Sequence, residues 1–516
     1  MTKIVKGNDY SGNFKSEGDM NFGDTYNIPF LDKVVEKRLL GRAGAISVVE
    51  TFTGREEDLE ELERLLSQKK NQVVLLVNGL GGIGKTTVAK KLVSDHLDDK
   101  SYDHICWIDY QGTLQESVIA QIYHTYDLHQ YEPSVIYQKI ISDLGNLKGN
   151  NLLVIDGFDN VKDEKSIKDL PSNFKTLITS RNVFYSDTVK RYSLDTLSKK
   201  EAKELFYQYC SKQRADEKQV EKLLEKVGYH TLTIEIMAKT LAKDGKVTVN
   251  DLLSLQSKIH VQTDHPEVAQ AALVDFLTKL FDFTGVPENE IYILQNLAVL
   301  PSVDIPQEDI KDFLHIPQEG REDFINQTHE LADRGWLIRT ESKKGTPVFR
   351  CHQMVQKFLR RHAKYRPTVE VCGKVVETFA GRLNVEPVEN PLDKAVWVSY
   401  GVEILESLEG EDEEVATLAN NLALRYQALG DLSKALKYNQ KALGICESVL
   451  ASDHPSLANS YNNIAAIYFD MTEYGSAKVY IEKTVGIYER IFPGGHPNLD
   501  KARGWREDID EKLQGR

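Results

Sequence analysis

Eight residues set the strongest constraint on what this chain can fold into. Gly79-Leu80-Gly81-Gly82-Ile83-Gly84-Lys85-Thr86 follows the β-branched and leucine run Val73 to Val77 and precedes a helical run from Thr87 to Leu92. A strand, a glycine-rich loop and a helix in that order make a phosphate cradle, the P-loop. The glycines let backbone N–H groups turn inward around phosphate oxygens. Lys85 reaches the β and γ phosphates, and the Thr86 hydroxyl ligates Mg²⁺ at a helix N-terminus whose dipole favours anions. Gly79, Gly81, Gly82, Ile83, Gly84 and Thr87 complete the expected contacts, so a nucleoside triphosphate with Mg²⁺ is the implied ligand.

The surrounding sequence suits such a loop. Strand-like runs at Ile105 to Ile108, Leu152 to Ile155 and Thr176 to Thr179 alternate with helical ones such as Thr113 to Tyr123, and another helical run, Glu56 to Leu66, precedes the loop. This alternation predicts a mostly parallel sheet covered by helices on both faces. Leu152-Leu153-Val154-Ile155 ends in Asp156, an acid at the end of an adjacent buried strand, where it would hold Mg²⁺ through water. Three residues on, Asp159 either orients or deprotonates an attacking water or caps the following turn. Arg181 ends the run Thr176 to Ser180, and an arginine at a strand end facing the loop favours ATP over ADP by charge complementarity.

At 516 residues the chain is too long for one fold of about 150 residues and implies three or four. Charge narrows the partners: 64 basic minus 78 acidic side chains leaves −14, which argues against the nucleic-acid backbone. Five scattered cysteines, none in C-x-x-C spacing, indicate neither a disulfide framework nor a zinc site and suit the cytosol. No run approaches 18 apolar residues, so neither a membrane span nor an export signal is expected.

The expected architecture is multidomain, α/β followed by all-α. A P-loop nucleotide-binding domain at 51–197 follows a linker at 27–50, and a helical domain at 198–283 comes next. At 284–365 a helix at Phe324 to Ala332, the run Trp336 to Arg339, a Lys343-Lys344-Gly345 turn and Val348 to Arg350 read as a winged helix. A helical linker at 366–415 leads to 416–516, which repeats with a period of 42: Asn421 with Asn463, Tyr426 with Tyr468, Ala435 with Ala477, Tyr438 with Tyr480, His454-Pro455 with His496-Pro497. Small residues at Ala435 and Ala477 let paired helices approach closely, and the helices of 370–412 are expected to supply the packing surface that two repeats lack. This resembles a tetratricopeptide α-solenoid of the kinesin-light-chain kind. Asn421, Asn462 and Asn463 are candidate groove residues for a protein or peptide.

Phe52-Thr53-Gly54-Arg55-Glu56, the P-loop, Asp156 and Thr176-Leu177-Ile178-Thr179-Ser180-Arg181 together resemble the NB-ARC signal-transduction ATPases of the STAND class. Asp156-Gly157-Phe158-Asp159 is closer to the sister NACHT pattern. The resemblance implies that ATP or ADP is the nucleotide, that Gly54 and Arg55 lie along the adenine, and that Arg181 senses the γ-phosphate. Two positions depart from the pattern. Tyr229-His230-Thr231-Leu232 stands where relatives carry Gly-Leu-Pro-Leu, and Cys351-His352-Gln353 where they carry Met-His-Asp. The surviving histidine implies that His352 bonds the β-phosphate of ADP in a resting state. Residues 1–26, with Gly-Asn and Gly-Asp steps every five or six residues, either resemble amyloid-type signalling peptides or form a flexible polar tail.

The reading that follows is a cytoplasmic switch, closed as a monomer with ADP and assembled as a homo-oligomer with ATP. It would sense a trigger at the repeats, recruit an effector protein through residues 1–26 and hydrolyse ATP slowly as a reset. Two alternatives stay open. One is a transcription regulator reading DNA through Arg334, Arg339, Lys343, Lys344, Arg350, Arg360 and Arg361; the other is a non-hydrolysing nucleotide-bound scaffold.

Overall fold

Strands apolar on both faces must be covered on both faces, and strands joined through helices pair in parallel. The computed structural model describes residues 38–43, 46, 52–68, 74–99, 101–125, 128, 131, 133–184, 189–243, 245–255, 266–341, 345–385 and 390–515. The repeat at 1–26, most of the stretch 27–50 and the Lys343-Lys344 turn lie outside the described residues. Six strands form one sheet: β1 (Leu39–Gly41), β2 (Val74–Asn78), β3 (His104–Asp109), β4 (Asn151–Asp156), β5 (Phe174–Ser180) and β6 (Val189–Ser193). Their order is β1-β3-β4-β5-β2-β6, and every pair is parallel. Every residue of β3 and β4 is buried, as the apolar runs require. Helices α1 (Glu56–Leu66), α2 (Lys85–Asp99), α3 (Leu114–Ile122) and α4 (Pro133–Gly145) intervene along the chain. Leu62 and Leu66 of α1 and Val88 and Leu92 of α2 share a core with Leu75, Val77 and Leu177 of the sheet.

Two expectations change. The sheet takes its edge strand β1 from within the stretch read as linker, pairing Leu39 with Ile105. And Asp156 is not on the strand beside β2, because β5 lies between β2 and β4. The acid still reaches the loop through a hydroxyl of α2.

The chain then turns helical with α5 (Lys199–Tyr209), α6 (Glu217–Lys226), α7 (Thr231–Lys243), α8 (Val249–Ser254) and α9 (Pro266–Thr284). Ser198 and Glu201 start α5 with a reciprocal capping box. Next come α10 (Glu288–Ala298), β7 (Ile305–Pro306), α11 (Gln307–Phe313), α12 (Arg321–Asp333), β8 (Ile338–Glu341), β9 (Pro347–Arg350) and α13 (Gln353–Arg361). Helices followed by an antiparallel sheet in the order β7-β9-β8 make a winged-helix arrangement. It docks tightly: Gly335, at φ +84°, lies so close to α7 that a Cβ there would meet the Ile236 Cα at 3.1 Å. Phe281 of α9 stands 4.9 Å from Trp336 and 5.1 Å from Phe358 of α13, edge-on or tilted, which ties the helical segment to the winged one.

Residues 33–125 and 138–367 form one compact unit, and residues 368–516 are the bulk of a second. The second contains α14 (Val369–Leu383), α15 (Ala395–Ser407), α16 (Glu413–Ala428), α17 (Leu432–Val449), α18 (Pro455–Asp470), α19 (Tyr474–Ile491) and α20 (Pro497–Leu513). The 42-residue period acquires physical content. Ala435 and Ala477 are fully buried. Tyr426 stacks on Tyr438 at 5.5 Å, and Tyr468 repeats this on Tyr480 at 5.6 Å. Each His-Pro pair is a helix start: His454 and His496 cap α18 and α20 by accepting from the Ser456 and Asn498 backbone N–H, with Pro at the first helical position. Arg425, wholly buried, donates to the carbonyls of Leu383, Asn384 and Pro391, which closes off the open end of α14. The asparagines expected to line a groove are partly spent inside: Asn421 donates to the Ala380 carbonyl at 2.9 Å, and Asn463, buried, to the Asn420 side chain at 2.7 Å.

Candidate nucleotide-binding site

Peptide N–H and C=O groups point in opposite directions, so a loop whose carbonyls are tied outward presents its amides inward. The Gly81 carbonyl accepts from His230 Nε2 at 2.8 Å, the Gly82 carbonyl from the Leu232 N–H at 3.1 Å, and the Ile83 carbonyl from Thr231 Oγ1 at 3.0 Å and Arg55 Nη2 at 3.1 Å. Only glycine permits this clasp at Gly82, where φ is +82° and a Cβ would meet His230 Cε1 at 2.9 Å. Tyr229-His230-Thr231-Leu232, a departure from the expected motif, is therefore the clasp that shapes the loop. Lys85 Nζ donates to the Gly79 and Leu80 carbonyls, both at 2.8 Å. Thr87 continues α2 one residue beyond Thr86.

At the other end of the cradle Thr86 Oγ1 donates to Asp156 at 2.8 Å, and Thr179 of β5 donates to the same carboxylate at 2.6 Å. The hydroxyl and carboxylate that would share a magnesium ion thus already touch, so the donor set fits that ion. Asp159 accepts from the Arg181 backbone N–H at 2.6 Å and from Arg181 Nε at 2.7 Å. The two residues expected to act separately on the γ-phosphate and on water are an ion pair here. Arg55, expected along the adenine, directs its guanidinium to the Ile83 and Asp195 carbonyls and to Asp58, and Gly54 approaches Glu201.

His352 caps α13, its Nδ1 accepting from the Met354 N–H at 3.1 Å, so the ring proton sits on Nε2. Burial, with His230, Arg350 and Lys85 nearby, pushes its pKa down to about 3. His230 falls to about 4, chiefly through burial. Burial also lowers Lys85 to about 8, with Asp159 and Asp156 opposing the shift. Lys357, on α13, is lowered to about 8 by burial and by Arg181. Burial thus disfavours the charged forms of these four groups, and an anion beside Lys85, His352 and Lys357 would oppose their shifts.

Sequence reading missed Arg350, Lys357, His230 and Asp304. Arg350 Nη1 lies 3.9 Å from Asp156 and its Nε 2.7 Å from Asp304, whose other oxygen binds Lys90 at 2.7 Å. A charge closing the apolar pair Val348-Phe349 was the available signal, the same signal by which Asp156 closes β4.

Residues 55–216 match the family model of the NB-ARC domain. The chain carries an NB-ARC domain. Residues 414–490 match the tetratricopeptide repeat model. Similar curated proteins include "Probable disease resistance RPP8-like protein 2" of Arabidopsis thaliana, 26% identical over 373 residues, covering 65% of this chain and 40% of that protein. "Disease resistance protein RPP13" of the same plant is 29% identical over 117 residues, covering 22% of this chain and 12% of that protein. The chain thus spans two fifths or less of these relatives' length. A solved signal transduction ATPase with numerous domains and a tetratricopeptide repeat sensor, from Pyrococcus horikoshii, is 18% identical with a TM-score of 0.45, covering 87% of this chain and 66% of that one. The NB-ARC match implies nucleotide binding. Among the described residues no helix is long and apolar enough to cross a membrane, and no group of three or more His, Cys, Asp or Glu side chains could hold a metal.

Proposed function

We propose that this chain is a nucleotide-dependent signalling switch, resting with ADP and assembling with ATP. The observation that carries the reading is that three segments meet at the P-loop: Lys85 at the start of α2 and Asp156 at the end of β4, His230 of the helical segment bonded to the Gly81 carbonyl, and the winged segment, with Arg350 beside Asp156 and Met354, bonded through its N–H to His352, against Gly81. A nucleotide bridging them would hold the three segments together, and a change in its phosphates would be felt by all three.

In this reading the inward amides of Gly82, Ile83 and Gly84 and the Lys85 ammonium hold the β-phosphate, while His352 Nε2 donates to the same phosphate in the resting state. Thr86 and Asp156 hold Mg²⁺, which neutralises phosphate charge when bound. Arg181 leaves Asp159 for the γ-phosphate of ATP, and freed Asp159 can then orient water, which would make hydrolysis a slow reset. Gly54 and Arg55 fix the loop's outer wall. The repeats would receive a protein or peptide trigger, residues 1–26 would recruit a separate effector, and the assembled form would be a homo-oligomer of cytoplasmic chains. The disease-resistance names of the plant relatives support an immune or cell-death setting.

Four of the seven cations named for DNA are engaged within the chain: Arg350 with Asp304, Arg360 with the Ala298 carbonyl, Arg334 with Glu290 and Arg339 with Glu341. Mass spectrometry of the nucleotide that copurifies, together with particle size before and after ATP, tests the switch. Retained ADP in a monomer that grows with ATP is the expected result, and indifference of size to both nucleotides would end the proposal.

A further inference from the structure

The closed arrangement already contains a cation at Asp156. Arg350 Nη1 stands 3.9 Å from one oxygen of that carboxylate, while the Thr86 and Thr179 hydroxyls donate to it at 2.8 and 2.6 Å. Arg350 is held from behind: Asp304 accepts from its Nε at 2.7 Å and from Lys90 Nζ at 2.7 Å. Arg42 completes the group, donating to the Asp304 carbonyl at 3.0 Å and lying 3.4 Å from Asp109, which neighbours Asp156 across the β3–β4 ladder. Arg350, Asp156, Lys90 and Asp304 expose between 7% and 13% of their side chains, so water screens them little. Three cations, Arg42, Lys90 and Arg350, face three carboxylates, Asp109, Asp156 and Asp304. These six charges sum to zero before any metal enters, with the Lys85 ammonium as a further cation near Asp156, and a divalent cation drawn to Thr86 and Asp156 would face the Arg350 guanidinium as a like charge.

Resting on the nucleotide-switch reading and deepening it, we propose that Arg350 stands in for the divalent cation at Asp156 while the winged segment is seated. The closed form then holds a nucleoside diphosphate without magnesium, and magnesium becomes a ligand of Asp156 only when Arg350 withdraws. Arg350 is a positioning residue here: it sets whether Asp156 is free for metal. The proposal makes metal and the closed form antagonists, so magnesium arriving with a triphosphate would favour opening.

The test is the affinity of the full chain for a fluorescent ADP, measured in excess chelator and in millimolar Mg²⁺, for the wild type, Arg350→Gln and Arg350→Lys. The wild type should change less than about threefold between the two buffers, and Arg350→Gln should bind at least about tenfold more weakly in chelator than in Mg²⁺. Arg350→Lys keeps the charge and should behave as the wild type. Bound Mn²⁺, read by electron paramagnetic resonance with ADP present, should be weak in the wild type and strong in Arg350→Gln. A wild type that itself needs Mg²⁺ to hold ADP overturns the proposal while leaving the nucleotide reading intact, and needs no variant to fold. Indifference of Arg350→Gln to chelator does the same. Absence of ADP binding to the wild type in both buffers overturns the nucleotide reading and this proposal together.

Discussion

The two units bury polar groups in opposite ways. Around the P-loop, Lys85, Lys357, His230 and His352 are packed where their charged forms are disfavoured. In the repeats Arg425 is wholly buried, and its guanidinium donates to the backbone carbonyls of Leu383, Asn384 and Pro391. In the first unit an anion would favour the charged forms that burial disfavours, whereas the Arg425 guanidinium of the second is met by the chain's own carbonyls.

The widest separation between the units should come from Lys85→Ala. Removing the ammonium should weaken ADP and ATP binding at least about 100-fold by titration calorimetry, with the repeat unit's thermal transition unmoved. Retained affinity would break the comparison at its root. Arg425→Ala should do the converse, costing the repeat unit about 3 kcal/mol in a denaturant melt of the full chain, because three buried carbonyls lose their donor, while ADP affinity stays as it was. For His352→Ala, ADP should leave about tenfold faster in a fluorescence chase, equivalent to about 1.4 kcal/mol, the low end for one hydrogen bond to a charged group.

Acid supplies the smallest graded test. The two histidines have ordinary values of 6.5 and folded values of about 4 and about 3. As pH falls below 6.5 the unfolded chain takes up protons that the folded unit refuses, so stability falls by up to about 1.4 kcal/mol per pH unit for each histidine. His230→Gln should remove one such share of the slope between pH 6 and pH 4.5, each half a unit inside the window from 6.5 to about 4, in chemical denaturation. A slope identical to the wild type's would show that His230 is not held neutral in the folded unit.

What the sequence made legible was local. Glu56 to Leu66 is a helix with those bounds, β3 to β5 contain the apolar runs that announced them, and β2 takes Val74 to Val77 of the run that began at Val73. Edges were not legible. Lys190 and Arg191 stand exposed on β6, which pairs only on its β2 side, so no apolar run marks it. The loop, Asp156 and Arg181 could be found because each sits at the end of a strand in a known order. Arg350 and Lys357 come to the same cleft from more than 150 residues away, and only the docking of the winged segment says which phosphate or carboxylate they meet. Asp159 and Arg181 were both located, yet their pairing with each other is a fact of distance that spacing in the chain does not contain.

The fan of bonds from Arg425 also dictates where this molecule can be cut. A fragment trimmed to the matched repeats, 414–490, would keep the guanidinium and discard Leu383, Asn384 and Pro391. It would expose an arginine designed for the interior, along with the flank of α16 that lies on α14. Expression of the repeats as an isolated bait for partner capture should therefore begin at residue 368, where the second unit's contiguous stretch starts.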